Sequence, residues 1–211
     1  MTATSKTDIL DKVYSATSNQ ELEAGYDEWA RHYDEDLQRF GYRIPAVIAG
    51  LSGRYVNRDA HPLLDAGCGT GLMGEALYLL GYRSLIGIDM SQGMLDVART
   101  KDIYLELHHM TLGERLDFGD NTFVTTFAVG VITIGHAPAH SFDELIRITR
   151  PDGYLLFSIR VDREPESGYF AKLDALENDG KWQQVEMTKP FQSMPLAEPE
   201  VLHQVCVYRA L

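Results

Sequence analysis

The sequence predicts an α/β chain built on a doubly wound, mostly parallel sheet with helices on both faces. Three observations carry this. Short apolar segments alternate with amphipathic stretches of about ten residues from residue 62 onward. A glycine-rich turn follows the first apolar segment, LLDAGCGTG (63–71). An acid, Asp89, ends the second one, IGID (86–89).

Taken in order, residues 1–18 are small and polar and are expected to form a flexible N-terminal arm or a weak helix. Residues 19–211 are expected to form one domain. Leu22, Tyr26, Trp29, Tyr33 and Leu37 recur at spacings of 4, 3, 4 and 4, which places them on one face of a single helix that Gly41 ends. A short apolar segment, IPAVIAGL (44–51), follows.

Strands are expected over 62–67, 84–89, 104–110, 122–132 and 151–160, the last entered through the turn Pro151-Asp152-Gly153. Between them lie helices over 72–81, 91–100 and 141–149, with Ser91 a suitable N-cap. A polar helix over 165–179 and two late strands, roughly 182–190 and 201–208, complete the reading. In such a sheet, ligands sit at the carboxyl ends of the strands, where the winding direction changes.

Composition limits the function. With 211 residues the chain has room for one ordinary domain. The 19 Lys+Arg against 31 Asp+Glu give a net charge of −12, which disfavours a nucleic-acid partner. The longest near-apolar run, FAVGVITIG (127–135), is about half of what a membrane span requires, so no membrane partner is expected. The first ten residues lack a secretory apolar core, and the two cysteines form no metal or redox spacing. A cytoplasmic location is the expectation. No G-x-S-x-G nucleophile motif and no zinc constellation occurs.

In the glycine turn, Gly67, Gly69 and Gly71 allow a sharp bend and close approach of a ligand. The turn leads into a helix N-terminus, which favours a negative group. Asp89 then lies where a carboxylate accepts both hydroxyls of a ribose. GTGLMG (69–74) also fits the dinucleotide pattern G-x-G-x-x-G, so an NAD(P)-dependent oxidoreductase is the alternative. Against it stands Asp65, a carboxylate just before the turn. It would repel a pyrophosphate, whereas it suits a cofactor carrying an ammonium group.

LLDAGCGTG, IGIDMSQGMLDVAR (86–99) and ELIRITRPDGYLLFSIR (144–160) resemble, in order, the nucleotide-binding, ribose-binding and post-core motifs of class I S-adenosylmethionine (SAM)-dependent methyltransferases, which have a Rossmann-like fold. YDEWARHYDEDL (26–37), TLGERL (111–116) and AVGVITIGHAPAHSFDEL (128–145) resemble more narrowly the methyltransferase-like proteins named after the Williams–Beuren syndrome region. The broad resemblance covers roughly residues 20–160.

The resemblance implies SAM as cofactor and a small-molecule methyl acceptor. It implies that Asp65, Gly67, Cys68, Gly69 and Gly71 line the methionine end, that Asp89 holds the ribose, and that Met90 packs on the adenine. Val129 and Gly130 join this set. It also implies that residues 19–55 form a helical lid, with Tyr26, Trp29 and Tyr33 over the cofactor. Family members often carry an adenine-binding acid after the third strand; Thr111-Leu112 stands there instead. Phe123-Val124 replaces the usual Phe-Asp at the start of the fourth strand. A SAM-binding protein without catalysis is a further alternative.

His136 and His140 follow the fourth strand, and His136 is the candidate to take a proton from the acceptor. Pro138 between them argues against a helical metal pair, and no metal site is expected. Met94 reads as core, and Asp27, Glu28, Asp34 and Glu35 as a solvated helix face.

Overall fold

A computed structural model describes residues 6–164 and 166–211; the part of the expected arm at residues 1–5 lies outside them. In the remainder of that arm, Lys6–Tyr14 form helix α1, with Leu10 and Val13 buried. Four further helices precede or follow the first strand: α2 (Asn19–Trp29), α3 (Tyr33–Phe40), α4 (Ile44–Tyr55) and, after β1 (Leu63–Ala66), α5 (Leu72–Leu79). Next come β2 (Leu85–Asp89), α6 (Gln92–Thr100), β3 (Glu106–His109), β4 (Phe123–Ile132), α7 (Ser141–Ile148) and β5 (Thr149–Arg160). The chain ends with α8 (Tyr169–Asn178), β6 (Trp182–Met187), β7 (Phe191–Met194) and β8 (Glu198–Ala210).

The strands form one sheet in the order β3-β2-β1-β4-β5-β8-β6, with β7 also paired to β8. Strands β1 to β5 run parallel, and β8 is antiparallel to β5, β6 and β7. The winding reverses between β1 and β4, so the crevice expected to take a ligand opens there.

Successive strand residues serve opposite faces. Leu63, Phe127 and Leu156 pack with Ile44 and Ile48 of α4 and with Leu77 of α5. Leu64, Ala128 and Leu155 pack with Phe142 of α7 and Leu173 of α8. This two-sided burial explains why the central strands read as continuous apolar runs. A third core joins Leu10, Val13, Leu22, Trp29, Leu37 and Phe40 of the N-terminal helices to Met194 of β7.

Local signals act as the sequence suggests. Gly41 closes α3 at φ 73°, a left-handed conformation that glycine adopts without a Cβ clash. The Ser91 side chain caps α6 by accepting a hydrogen bond from the Met94 N–H.

Three expectations need correction. The aromatic helix is two helices, because the chain tightens at residues 30–32, where the His32 N–H donates to the Trp29 carbonyl at 2.9 Å. Tyr26, Trp29 and Tyr33 consequently meet as a cluster, with Trp29 and Tyr33 ring centroids 4.7 Å apart. The late strand expected over 182–190 stops at Met187, and a separate short strand, β7, ties the N-terminal helices to the sheet: its Ser193 carbonyl accepts from the Arg43 N–H. The polar helix begins only at Tyr169.

Candidate active site

Four backbone bonds build the floor of the site. The N–H groups of Gly67 and Cys68 both donate to the Ile88 carbonyl, at 2.8 and 2.9 Å. Gly69 N–H donates to Asp89 Oδ2 at 2.8 Å, and Ser91 N–H to Asp89 Oδ1 at 2.9 Å. Asp89 thus fastens the glycine turn to the end of β2 and keeps acceptor capacity on both oxygens. Burial pushes its carboxyl above the usual range, while the Ser91 and Gly69 bonds pull it back.

The glycines are needed for shape. Gly67 has φ 73°, and a Cβ there would lie 2.3 Å from Val131 Cγ1. Gly69, at φ 54°, faces open space on its Cβ side.

Above this floor lies an open cleft lined by the glycine turn, the N-terminal helices and the end of β4. Of the residues singled out from sequence, it brings together Tyr26, Tyr33, Gly67, Cys68, Gly69, Asp89, Met90, Thr111, Leu112, Val129, Gly130 and His136. Met94, read as core, is buried and also lines it.

Three are held elsewhere. Asp65 is fully buried behind the turn, and its Oδ2 accepts from the Tyr104 hydroxyl at 2.6 Å. Its strand position turns the side chain into the sheet–helix packing instead of the crevice, and burial raises its pKa to about 6. Trp29 is buried in the lid core and donates its indole N–H to Asp36 at 2.9 Å. Gly71 serves as the left-handed N-cap of α5.

His136 Nε2 lies 2.6 Å from the Tyr26 hydroxyl, so α2 and the loop after β4 meet at the cavity wall. Burial holds the imidazole below its ordinary pKa, which keeps it neutral near pH 7 and able to take a proton. His140 is turned away, toward the Gly113 carbonyl at 3.0 Å.

Two acids read as solvated are tethers. Asp27 accepts from the Ser91 hydroxyl and the Gly93 N–H at the start of α6. Asp34 pairs with Lys101 at 2.8 Å and accepts from the Thr70 hydroxyl in the glycine turn. Sequence reasoning also missed Tyr42, Thr70 and Met110 as cavity residues. Tyr42 lies between helices with no periodic signal; Thr70, inside the glycine turn, could have been inferred from its neighbours.

A methyltransferase-domain family model matches residues 64–157, which span the glycine turn through β5. The chain is 33% identical over 164 residues to methyltransferase-like protein 27 of Homo sapiens, covering 75% of this chain and 66% of that one. It is 33% identical over 157 residues to malonyl-acyl-carrier-protein O-methyltransferase of Serratia marcescens, covering 74% of this chain and 56% of that one. The chain belongs to the class I SAM-dependent methyltransferases. Its cofactor is accordingly SAM, and it spans between about half and two thirds of the length of these relatives.

The fold agrees. The 4+2-cyclase SpnF superposes with a TM-score of 0.72 at 16% identity, over 92% of this chain and 97% of that one. A SAM-dependent methyltransferase from Methanosarcina mazei superposes with a TM-score of 0.60 at 19% identity, over 76% and 97%.

The donors present fit this cofactor. Asp89 offers two carboxylate oxygens to a ribose, the glycine turn precedes a helix N-terminus suited to a carboxylate, and Met90, Met110 and Leu112 supply an apolar slot for a base. Among the described residues, no helix is long and apolar enough to cross a membrane.

Proposed function

We propose that this protein methylates a small molecule held between the glycine turn and the N-terminal helices. The observation that carries this is the cavity itself: Tyr26 and Tyr33 of the lid line it together with the turn and the end of β4. An acceptor must therefore fit under the lid. The acidity of the chain adds to this reading, since a net charge of −12 repels a polyanionic acceptor.

Roles within the site follow from the geometry. Asp89 holds the ribose, Met90 and Leu112 sandwich the base, and Thr111, where relatives often carry an acid, offers a hydroxyl to it. Gly67, Cys68, Gly69, Val129 and Gly130 bound the amino-acid end. When bound, SAM supplies an electrophilic methyl group carried on a sulfonium. The aromatic wall of Tyr26, Tyr33 and Tyr42 suits that cation and excludes water. His136 takes the proton of the acceptor hydroxyl by way of the Tyr26 hydroxyl, which is hydrogen-bonded to its Nε2, as the acceptor oxygen forms the new bond to carbon. Much of the remaining rate enhancement comes from alignment. Asp65 acts indirectly, by fixing Tyr104 beneath the turn.

Calorimetric titration with SAM, its demethylated product and NAD, on the protein and on Asp89→Ala, tests the cofactor assignment. Micromolar-range binding of SAM that the substitution removes supports it; tighter binding of NAD would sink it. For the acceptor, the protein is incubated with methyl-labelled SAM and a cell extract. Label that passes a small-pore filter in a species chromatographically distinct from SAM supports the proposal, and label retained on protein or RNA overturns it.

A further inference from the structure

A second pocket adjoins the first. The two share a wall of Tyr26, Tyr33, Tyr42, Gly130 and His136. Leu10, Val13, Trp29 and Leu37 make much of the rest apolar or aromatic. Four polar side chains, Tyr14, Thr133, Arg160 and His203, line this chamber and not the first, and the last two matter most here. They are cross-strand partners on β5 and β8, so they project from the same face of the sheet.

Both have unused bonding capacity. His203 is only 8% exposed, yet its Nδ1 is buried with no hydrogen-bond partner among the described residues. Buried polar atoms are nearly always paired, so this orphan, on a residue that lines the cavity, calls for a partner that a ligand atom can supply. Arg160 gives its Nε and Nη2 to Asp162 at 2.9–3.0 Å, and no described group receives its Nη1.

The electrostatics select the ligand. Asp162 already balances the guanidinium in a two-pronged pair, and Glu198 stands close by, bound by the Tyr14 hydroxyl at 3.0 Å. Burial keeps the His203 imidazole neutral. This end of the chamber therefore offers hydrogen bonds without net positive charge, which suits a neutral oxygen better than a carboxylate.

We propose that this chamber holds the methyl acceptor, an uncharged, ring-bearing molecule with a carbonyl or hydroxyl oxygen received by His203 and Arg160 and a second, methylatable hydroxyl at the His136 wall. The proposal rests on the methyltransferase reading above. In the transfer, the acceptor oxygen bonds the methyl carbon as the carbon–sulfur bond of SAM breaks, and the hydroxyl proton passes through the Tyr26 hydroxyl to His136 Nε2.

The test uses the full chain, first titrated with S-adenosylhomocysteine. The saturated complex is then titrated with 4-hydroxyacetophenone and with 4-hydroxybenzoate, its carboxylate counterpart. The wild type is expected to bind the ketone at least tenfold more tightly than the acid. His203→Phe, which replaces an unpaired buried polar ring by an apolar one, is expected to fold and to bind S-adenosylhomocysteine within twofold of wild type. It should lose at least tenfold in affinity for the ketone, as should Arg160→Met. Equal affinity of wild type and His203→Phe for the ketone, preference for the acid, or binding of neither probe to the saturated complex would overturn the proposal alone. Failure of S-adenosylhomocysteine to bind would overturn the methyltransferase reading and this proposal together.

Discussion

The Asp27 carboxylate in α2 accepts a hydrogen bond from the Ser91 hydroxyl at 2.6 Å, joining α2 to the N-terminus of α6 directly after β2. The same oxygen accepts from the Gly93 N–H at 2.8 Å. A Cβ at Gly93 would lie 2.9 Å from Asp27 Cα, so only glycine permits this approach. A negative group at a helix N-terminus is favourable, and this one also fixes α2 against the start of α6.

Asp27→Ala should therefore lower stability by about 1 kcal/mol, the usual loss for a side-chain cap. Because Tyr26 of α2 lines the cavity proposed to take the cofactor, affinity for SAM should fall roughly fivefold with it. Gly93→Ala should act in the same direction, through the clash with the Asp27 backbone. Urea denaturation and calorimetric titration check both. Wild-type SAM affinity in both variants would separate the tether from the cofactor site.

Local chemistry made much of this legible. The glycine turn, the acid at the end of β2, the Ser91 cap and the Gly41 stop each act within a few residues of themselves, and a one-dimensional pattern records that. What was hidden is non-local. Asp27 reads as solvated because its partner is 64 residues away, and Asp34 because Thr70 is 36 away. The break between α2 and α3 falls on Ala30-Arg31-His32, which contains no residue that interrupts a helix by itself. β7 is four residues long and gains its identity only from pairing with β8.

Asp65 provides a pH test. Its folded pKa, about 6, lies above the ordinary 3.8 because the carboxylate is desolvated. Its contribution to stability is therefore full below pH 3.8 and lost as pH rises through about 6. Asp65→Asn carries no charge and escapes that loss. The stability of the variant relative to wild type should rise between pH 4 and pH 7 by ~1–3 kcal/mol, since each tenfold difference in proton affinity between the folded and unfolded chain is worth about 1.4 kcal/mol. Chemical denaturation across this range measures it. A difference independent of pH would mean that Asp65 is not the buried charge described.

His136 bears on the reaction. Burial lowers its pKa below 6.5, so the protonated form is disfavoured in the folded protein. The imidazole stays competent to take a proton at neutral pH and loses that ability only as pH falls through its depressed value. The turnover rate should show an acid limb lying below pH 6.5, and His136→Gln should abolish the limb while lowering turnover ~100-fold, the lower end for general base catalysis. Cofactor affinity in this variant should change little. An unaltered pH profile would leave His136 as a wall residue only.

Gly130 sets the shape of the wall between the two cavities. It sits at φ 72°, and a Cβ there would lie 2.4 Å from the Tyr42 hydroxyl oxygen. Its N–H donates to the Ser158 hydroxyl at 2.8 Å, which fixes the bend at the end of β4. Gly130→Ala therefore meets two penalties, a left-handed backbone and displacement of Tyr42, together about 1–3 kcal/mol. Tyr42 lines both cavities, so its displacement should alter the proposed cofactor and acceptor sites at once. The variant should show weaker SAM binding and a higher KM for any acceptor. Tyr42→Phe relieves only the hydroxyl contact, so the double variant Gly130→Ala/Tyr42→Phe should recover part of the SAM affinity and none of the backbone strain. Titration of the single and double variants separates the two effects; no recovery at all would place the whole loss in the backbone.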